Sequence, residues 1–360
     1  MRKPYRVAVW GPGGLGSCAI RELQRLPEVN LVSVLAYSEA KIGQDVGTLV
    51  GHKPYGLKTT GSADELIAVN PECVIYTARD YGDFRADADI ERLLKAGINV
   101  ITPLAYQYPR MRGKEVVAKF NRAGKKGNAT LFGSGINPGF IYERLVATLT
   151  GISNGIESIS LREFFNAEHL EGGKATLQLF GFGSTKKVVE ANPIAAMMAQ
   201  NYLTADIHYL ADRLGIKVDR IERSSNHGIA KADINLPGVI DIKKGTLGRI
   251  TFRWTGFVKE VPFFVVEVNW CLTQAMMPPE AKGDDFWLVE IEGQPSCRLG
   301  LEVQGSFKRN QVFLKNNPSL GAYMATVMAM VQAIPHVIAA KPGIMLPQMP
   351  QMHWKPDMRK

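Results

Sequence analysis

Residues 5–16 read YRVAVWGPGGLG and are followed directly by SCAIRELQRL. The first six residues favour a buried strand, a glycine-rich turn follows, and the next stretch has the apolar spacing of an amphipathic helix. The turn satisfies the pattern GxGxxG, in which the glycines permit a tight turn, close approach of a pyrophosphate and close helix packing. We call residues 11–16 the glycine loop. We predict that it binds a dinucleotide through Gly11, Pro12, Gly13, Gly14, Leu15 and Gly16.

Strand-like and helix-like segments alternate through the first 150 residues. Such alternation predicts a parallel sheet with helices on both faces, so we expect a doubly wound Rossmann sheet in an α/β protein. The predicted strands are VAVW (7–10), LVSVLA (31–36), CVIYTA (73–78), NVIT (99–102) and ATLFG (129–133). The predicted helices are 17–26, 86–96 and 110–124, with Gly97 and Gly124 at helix C-caps.

From about residue 155, several segments alternate apolar and polar residues. Alternation of this kind predicts a second, α+β domain built on an open, largely antiparallel sheet with one solvated face. The predicted strands are 156–165, 176–183, 248–257, 262–272, 286–293 and 297–307, and the predicted helices are 193–214 and 319–340.

These patterns predict three parts along the chain. A Rossmann domain over 1–150 is completed by the helix at 319–340, a substrate and dimerisation domain covers 151–318, and an extended tail covers 341–360. Aromatic and β-branched residues over 248–272 predict an apolar exposed face, which a homodimer would bury.

The composition narrows the classes of function. Hydrophobic residues make up 46% of the 360 residues and charged residues 21%, which is typical of globular domains. No segment approaches the ~18 uninterrupted apolar residues of a membrane span, so we expect no membrane partner. The net charge of +9 lies in scattered doublets such as Lys125-Lys126, which favours solvated surface charge over nucleic-acid binding. The four widely spaced cysteines indicate a cytoplasmic protein and no metal site.

The end of the second predicted strand bears on the choice of dinucleotide. An NAD site usually places Asp or Glu there to bind the ribose 2′-hydroxyl. Here the strand ends in Tyr37 and Ser38, with Lys41 close behind. A hydroxyl and an ammonium suit a 2′-phosphate, so NADP(H) is favoured. NAD(H) stays open if Glu39 reaches the ribose and Lys41 is only solvated.

The ends of the later strands should line the rest of the cofactor site. The third strand ends in Thr77 and Ala78, and the fourth in Thr102 and Pro103. Arg79 and Asp80 either contribute to binding or pair with each other.

The loop FGSGINPGF (132–140) follows the fifth strand. Its glycines allow the backbone to lie against a flat ring, and Asn137 would then reach the nicotinamide or a substrate. The alternative is a plain strand-to-helix connection with Pro138 in the first helical turn.

The glycine loop, the segment AYSEAKIGQD, the loop FGSGINPGF and the late QAIPHVIAAKPGI together resemble the dihydrodipicolinate-reductase-like oxidoreductases. The resemblance is strongest to the branch of 2,4-diaminopentanoate dehydrogenase and the native amine dehydrogenases. It implies a two-domain, dimeric enzyme that moves a hydride between NAD(P)H and a C=N or C=O carbon of a small-molecule substrate.

The sequence departs from that branch where an acidic residue should follow the fourth strand. Tyr108-Pro109 of the family pattern is present, but Leu104 and Ala105 stand in place of the carboxylate. Tyr106, Asn137 and His169 are the candidate catalytic residues, although an aromatic side chain at a strand end is often packing and a lone histidine is often solvated. The candidate substrate-binding residues are Leu104, Tyr108, Phe140, Arg162 and Phe164.

These residues predict an NAD(P)H-dependent oxidoreductase acting on a small ketone, imine or amine. The missing carboxylate predicts weak reductive amination with ammonia and reduction of preformed imines. The alternative is a nonenzymatic dinucleotide-binding sensor or scaffold.

Overall fold

The computed structural model of the chain describes residues 3–79, 81–170, 173–191, 194–308 and 317–348. Asp80 and residues 349–360 of the predicted tail therefore lie outside the described residues. The described chain forms two compact units. The first unit takes the chain up to Phe140 together with 317–319 and 323–347, and the second takes Ile141 to residue 308 together with 320–322 and residue 348.

The first unit is built on a parallel sheet of six strands. Its strands are β1 (Tyr5–Trp10), β2 (Val29–Leu35), β3 (Cys73–Tyr76), β4 (Asn99–Thr102), β5 (Thr130–Gly133) and, far along the chain, β14 (Gly343–Met345). The order is β14-β5-β4-β3-β1-β2, and every neighbouring pair is parallel. Because β2 and β3 lie on opposite sides of β1, the chain changes direction there and opens a crevice at the carboxyl ends of the strands.

Helices cover both faces of this sheet, which confirms the predicted doubly wound α/β fold. They are α1 (Gly14–Leu23), α2 (Val46–Leu49), α3 (Ala63–Ala68), α4 (Ala86–Lys95) and α5 (Lys114–Gly127), with a 3₁₀ turn at Pro109–Arg112. One apolar core contains Ile20 and Val34, and the other, on the opposite face, contains Leu93 and Phe120.

One of the two predicted helix caps is wrong. Gly97 follows α4 with a φ of 84°, the left-handed conformation expected after a helix end. Gly124, in contrast, lies inside α5, and the left-handed cap is Asn128. A Cβ at Gly124 would lie 2.6 Å from the backbone nitrogen of Gly343. Glycine is therefore required at this position because β14 packs closely against α5 there.

The second unit is built on a mixed, largely antiparallel sheet of order β13-β12-β6-β11-β10-β7, as predicted. Only the β6–β11 pair within it is parallel among the described strands. The strands are β6 (Asn154–Asn166), β7 (Arg220–Ile229), β10 (Leu247–Val258), β11 (Val261–Cys271), β12 (Asp285–Gln294) and β13 (Cys297–Val303). The sequence patterns did not predict β7 or the small hairpin of β8 (Ile234–Leu236) and β9 (Ile240–Ile242).

The helical elements of the second unit are short except for one. A π-helical turn at Ile141–Val146 runs into α6 (Ala147–Leu149), and 3₁₀ turns lie at Thr150–Ile152, Ala167–His169 and Gln274–Met276. The unit also contains α7 (Lys174–Leu179), α8 (Lys186–Ala191) and the long helix α9 (Ile194–Leu214). Helix α9 packs on β10 and β11.

The prediction of a strand over 176–183 is wrong, because this segment contains α7 and the turn that ends it. The alternating apolar residues of TLQLFGFG also fit a short helix that buries Leu177. Gly181, with a φ of 98°, reverses the chain after the helix. Six residues are too few for periodicity to distinguish the two structures.

The prediction of an apolar exposed face on the second sheet is also wrong. Phe252 and Trp254 point to the face that α9 covers and are 3% and 1% exposed. The opposite face of β10 presents Arg249, Thr251 and Arg253 instead. Most of the apolar residues of 248–272 therefore fill the core of the unit itself.

The predicted helix over 319–340 consists of two helices, α10 (Gly321–Val331) and α11 (Ile334–Ile338). Part of the segment predicted as an extended tail forms β14, which pairs with β5. Among the described residues, Gly321–Ile338 has the length and apolar composition of a membrane span. Val327, Met330 and Val337 from this stretch are buried in the core of the first unit, so we interpret it as a core helix pair.

Candidate functional site

The glycine loop turns sharply between β1 and α1 in the first unit. Gly11 has a φ of 95°, and a Cβ there would lie 2.8 Å from the backbone of Ala78. A Cβ at Gly16 would lie 2.2 Å from the carbonyl oxygen of Gly11. The hydroxyl of Thr77 donates to that same carbonyl oxygen at 2.8 Å. A side chain at Gly11 or Gly16 would therefore clash with backbone atoms of the folded protein. The hydrogen bond from Thr77 stabilises the loop in this conformation.

Gly13 differs from these two glycines. No described atom lies within 4 Å of the position that a Cβ of Gly13 would take, and its φ is −83°. The protein itself would tolerate a side chain there, so the absence of one leaves space for a ligand. Helix α1 begins at the next residue, and within the described part of the chain no side chain caps its N-terminus. Its first N–H groups can therefore donate to an anion.

Lys41, predicted from the sequence to bind a 2′-phosphate, lies against the glycine loop. Its Nζ donates to the carbonyl oxygen of Pro12 at 2.7 Å, which holds the ammonium beside the loop. The turn that brings Lys41 back is closed by its backbone N–H, which donates to the carbonyl oxygen of Ser38 at 2.8 Å. Ser38 and Glu39 are both exposed at the end of β2.

Tyr37 presents an exposed ring at the end of β2, with 62% of the residue accessible. Its hydroxyl accepts from the indole Nε1 of Trp10 at 2.7 Å and donates to Asp89 at 3.2 Å. The same Asp89 oxygen accepts from the hydroxyl of Tyr76 at 2.7 Å. Burial raises the pKa of Tyr37, so the hydroxyl stays protonated. This network fixes an aromatic face at the edge of the crevice.

The other predicted strand-end residues fall into two groups. Ala78 and Pro103 lie at the carboxyl ends of β3 and β4, next to the crevice. Thr102 is completely buried, and its hydroxyl donates to the carbonyl oxygen of Tyr76 at 2.8 Å. Thr102 therefore joins two strands. Arg79 is exposed, and its suggested partner, Asp80, lies outside the described residues.

The loop after β5 packs tightly on itself and on α10. A Cβ at Gly139, where φ is 124°, would lie 2.4 Å from the backbone nitrogen of Gly135. The hydroxyl of Ser134 donates to the carbonyl oxygen of Ala329 in α10 at 3.3 Å. Asn137 is half-buried within this loop, and Phe140 at its end is 40% exposed.

The structure argues against Tyr106 as a proton donor. Tyr106 is 1% exposed, and its hydroxyl donates to Asp87 at 2.6 Å. Arg112 and Lys119 also donate to Asp87, each at 2.7 Å. Burial alone would raise the pKa of Asp87, but the hydrogen bonds from Arg112, Lys119 and Tyr106 hold it below its ordinary value. The Tyr106 hydroxyl is thus already used as a hydrogen-bond donor to Asp87, within the partly buried group of Asp87, Arg112 and Lys119.

The substrate residues predicted beside this cluster are buried as well. Leu104 is 8% exposed and Tyr108 is 6% exposed. Ala105 is 3% exposed, so the position expected to carry a carboxylate lies in packed surroundings.

The second unit places the predicted Arg162 and Phe164 in unsuitable positions for binding an anionic substrate. Arg162 donates to Glu280 at 3.2 Å and to Glu290 at 3.0 Å. Phe164 is 1% exposed and packs against Phe286. The guanidinium is therefore already neutralised by two carboxylates. His169 lies exposed at the end of the 3₁₀ turn that follows β6.

Two features of the second unit were missed from the sequence. The first is Glu163, which accepts from the indole N–H groups of Trp270 and Trp287, each at 3.0 Å. The second is a polar pocket of about 330 Å³. It is lined by Ser224, Ser225, Asn226, Arg249, Thr251, Arg253, Glu267, Asn269 and Pro278. The Glu163 contacts and the pocket are each formed by residues that are distant in sequence, so no local sequence motif predicts them.

No family profile matches the chain. An amine dehydrogenase of Streptomyces virginiae is 27% identical over 351 residues, which cover 93% of each chain. The chain is similar to amine dehydrogenases. The 2,4-diaminopentanoate dehydrogenase of Acetoanaerobium sticklandii is 23% identical and covers 94% of this chain and 91% of its own. The solved structure of the amine dehydrogenase from Mycobacterium smegmatis matches with a TM-score of 0.78 at 24% identity and covers 98% of both chains.

These relationships confirm the predicted resemblance to the amine dehydrogenases and 2,4-diaminopentanoate dehydrogenase. They also confirm the prediction of an NAD(P)-dependent oxidoreductase, and the structural match to the amine dehydrogenase supports the fold. The cofactor is accordingly a nicotinamide dinucleotide. The glycine loop, with its open position at Gly13 and the uncapped start of α1, fits such a group.

Proposed function

We propose that the protein is an NADP(H)-dependent oxidoreductase that interconverts an amine with the corresponding imine or ketone. The observation that carries the proposal is the open space at Gly13, beside the uncapped N-terminus of α1. The chain also aligns along 93% of its length with an amine dehydrogenase. When bound, the nicotinamide would donate or accept the hydride. The first unit would be the cofactor domain, and the second would be the substrate domain.

The residues of the first unit would divide the binding of the cofactor among them. The first N–H groups of α1 would bind the pyrophosphate, and the Tyr37 ring would stack on the adenine. Lys41 and Ser38 would bind the ribose 2′-phosphate. Ala78 and Pro103 would line the path toward the nicotinamide. Asn137 would donate to the nicotinamide amide or to the substrate.

Replacing Lys41 with alanine is expected to weaken NADPH binding roughly 10- to 150-fold, because it removes a charge-assisted contact to phosphate. NADH binding should change little. Fluorescence titration of both dinucleotides measures the two constants, and Lys53→Ala, at an exposed position of the same unit, is the control. Equal losses for NADPH and NADH, or tighter binding of NADH by the unmodified protein, would contradict the preference for NADP(H).

The chemistry is tested by offering NADPH with three substrates in parallel. A ketone with ammonium, the ketone alone and a stable cyclic imine separate imine formation from hydride transfer. Because Leu104 and Ala105 stand in place of the carboxylate that the resembling enzymes carry after this strand, we expect reduction of the cyclic imine and slow turnover with ammonium. Asn137 or His169 would assist the reduction.

Two results of this assay would change the proposal. Rapid turnover only with ketone and ammonium would show that another residue supplies the acid. No turnover with a broad panel, despite tight NADPH binding, would favour the alternative of a nonenzymatic dinucleotide-binding sensor or scaffold.

We also propose a homodimer formed through the polar face of the second sheet. That face carries the pocket around Arg253 and Glu267, whose side chains pair at 2.6 Å. Light scattering at micromolar concentration should report about twice the 39.6 kDa of one chain. A measured mass equal to that of one chain at micromolar concentrations would contradict the proposed homodimer.

A cytoplasmic location is the last part of the proposal. The four cysteines are unpaired thiols, and Cys18, Cys73 and Cys271 are buried. Burial raises the pKa of the Cys271 thiol to about 12, so it stays protonated and unreactive. Such thiols suit a reducing compartment.

A further inference from the structure

The polar pocket of the second unit lies on the face of the sheet opposite α9. Its walls come from β7, β10 and β11, whose paired residues form rows across this face, and from Pro278. Every lining residue except Pro278 is polar or charged, and the volume of about 330 Å³ is that of a small-molecule site. The pocket is therefore large enough for an organic ligand but offers it little apolar surface.

Four of the lining side chains satisfy one another. Glu267 accepts from the guanidinium of Arg253 at 2.6 Å and from the amide nitrogen of Asn269 at 2.8 Å. The amide oxygen of Asn269 in turn accepts from the hydroxyl of Thr251 at 2.8 Å. Glu267 and Asn269 are 9% and 3% exposed, so this network forms a fixed floor. Within it, the charge of Arg253 is balanced by that of Glu267.

Arg249 is the lining residue whose charge stays uncompensated. Across the described ranges of the chain, no carboxylate pairs with its guanidinium, and its Nε is shielded from solvent without a hydrogen-bond partner. Cys271, which interacts with Arg249 electrostatically, is a neutral thiol because burial raises its pKa to about 12. A Cβ at Gly228 would lie 2.8 Å from the Cβ of Arg249 and 3.1 Å from its Nε, so the arginine occupies space that the glycine leaves. A shielded donor without an acceptor is costly, so Arg249 requires an acceptor from outside the chain.

The charge of the pocket favours an anion. Its lining carries two guanidinium groups and one carboxylate, which leaves a net charge of +1. The fork of N–H groups on a guanidinium matches the oxygens of a carboxylate or a phosphate. Ser224 and Asn226, both exposed on β7, add a hydroxyl and an amide that can bind hydroxyl groups. A cation would be repelled by Arg249, and a neutral ligand would leave its charge uncompensated.

We propose that this pocket binds a small hydroxylated anion. Arg249 binds its carboxylate or phosphate group, and Ser224 and Asn226 bind its hydroxyl groups. Binding at this site does not depend on the proposed oxidoreductase activity. The proposed homodimer would form through the same face, where an anion on Arg249 would compensate a charge that the interface otherwise buries unpaired. Anion binding is therefore expected to favour the dimer.

The full-length protein is titrated calorimetrically, at constant ionic strength, with three probes of similar size. D-Glycerate and glycerol 3-phosphate carry a carboxylate and a phosphate beside their hydroxyl groups, and glycerol is the neutral counterpart. We expect one or both anions to bind at least about tenfold more tightly than glycerol, and the tighter of the two identifies the preferred group. Equal binding of all three by the unmodified protein would overturn the site.

Substitutions separate the pocket from the general positive charge of the protein. Arg249→Gln should abolish the preference for the anion over glycerol, and Arg249→Lys should retain part of it, because an ammonium keeps the charge without the fork. Arg223→Gln is the matched control. It removes the same charge from an exposed position of β7 that pairs with Trp254 and so lies on the opposite face. A preference that survives in folded Arg249→Gln, or that is lost equally in Arg223→Gln, would overturn the site.

A second variant covers a folding defect in Arg249→Gln, which thermal unfolding would reveal. Asn226→Asp places a carboxylate at an exposed position of the pocket and should weaken anion binding at least about tenfold by charge repulsion. If Arg249→Gln does not fold, an unchanged anion preference in Asn226→Asp overturns the site.

Light scattering on the same samples distinguishes the site from the homodimer. Anion binding by a protein that stays monomeric would leave the site standing and contradict the homodimer. A dimer that shows no preference for either anion over glycerol would leave the homodimer standing and overturn the site.

Discussion

Gly13→Val is expected to raise the dissociation constant for NADPH at least about 100-fold, equivalent to about 2.7 kcal/mol, without unfolding the protein. The valine side chain would point into space that no described atom of the protein occupies within 4 Å of its Cβ. That space is where the pyrophosphate would approach the start of α1. The substitution therefore separates cofactor binding from the stability of the loop. Isothermal titration with NADPH gives the affinity, and thermal unfolding gives the stability.

The neighbouring glycines supply the contrast for this prediction. In Gly16→Val, even the Cβ of the new side chain would lie 2.2 Å from the carbonyl oxygen of Gly11. We therefore expect this substitution to lower the melting temperature. Unchanged NADPH affinity in a folded Gly13→Val protein would refute the assignment of the glycine loop.

Asp285→Asn is expected to stabilise the protein at alkaline pH, by up to about 4 kcal/mol above pH 8. Burial raises the pKa of Asp285 to about 7 from its ordinary 3.8, although the backbone N–H of Ala322 donates to it and lowers the pKa. The folded protein thus binds a proton that the unfolded chain has released between these two pH values. The free energy of unfolding consequently falls as the pH rises from about 4 through 7. Asparagine resembles the neutral carboxyl group and removes this loss.

Urea unfolding at pH 5 and pH 9 measures the effect. The variant should be more stable than the unmodified protein by about 1.6 kcal/mol at pH 5, where the unfolded carboxyl group has already ionised, and by about 4 kcal/mol at pH 9. Asp241→Asn, at an exposed position on β9, is the control and should change stability by less than about 0.5 kcal/mol at either pH. Equal stability of Asp285→Asn and the unmodified protein at pH 9 would show that Asp285 ionises without cost.

The fold around the glycine loop was predictable because its signals are local. The glycine loop, β1 and α1 occupy fewer than 20 consecutive residues, and Gly11 and Gly16 each have a steric reason within the protein that a motif can express. Lys41 was selected from its distance along the chain to the end of β2, and its Nζ lies beside the glycine loop. The strand β14 was missed, since three residues near a proline-rich segment carry too little pattern to indicate pairing with β5.

The second sheet was less predictable because one residue of register decides which side chains share a face. Residues 162–165 read REFF, which gives no alternation to follow. Arg162 and Phe164 were chosen, whereas the pleat places Glu163 and Phe165 together on the face that α9 covers. Trp270 and Trp287, the partners of Glu163, follow it by 107 and 124 residues, so their contacts depend on the assembled sheet. The same limit applies to Tyr106, which follows β4 and whose partner Asp87 lies on α4.

The path of the chain through the first unit has a consequence for biosynthesis. Tyr323 of α10 lies behind the glycine loop, where its ring would be 2.7 Å from a Cβ at Gly14. β14, which forms one edge of the same sheet, is later still in the sequence. On the ribosome, the glycine loop therefore emerges early but lacks the packing of α10 behind it until more than 300 further residues have been translated. A nascent chain truncated before α10 would expose apolar surface and become a client for chaperones, so the cofactor would stabilise only the finished polypeptide.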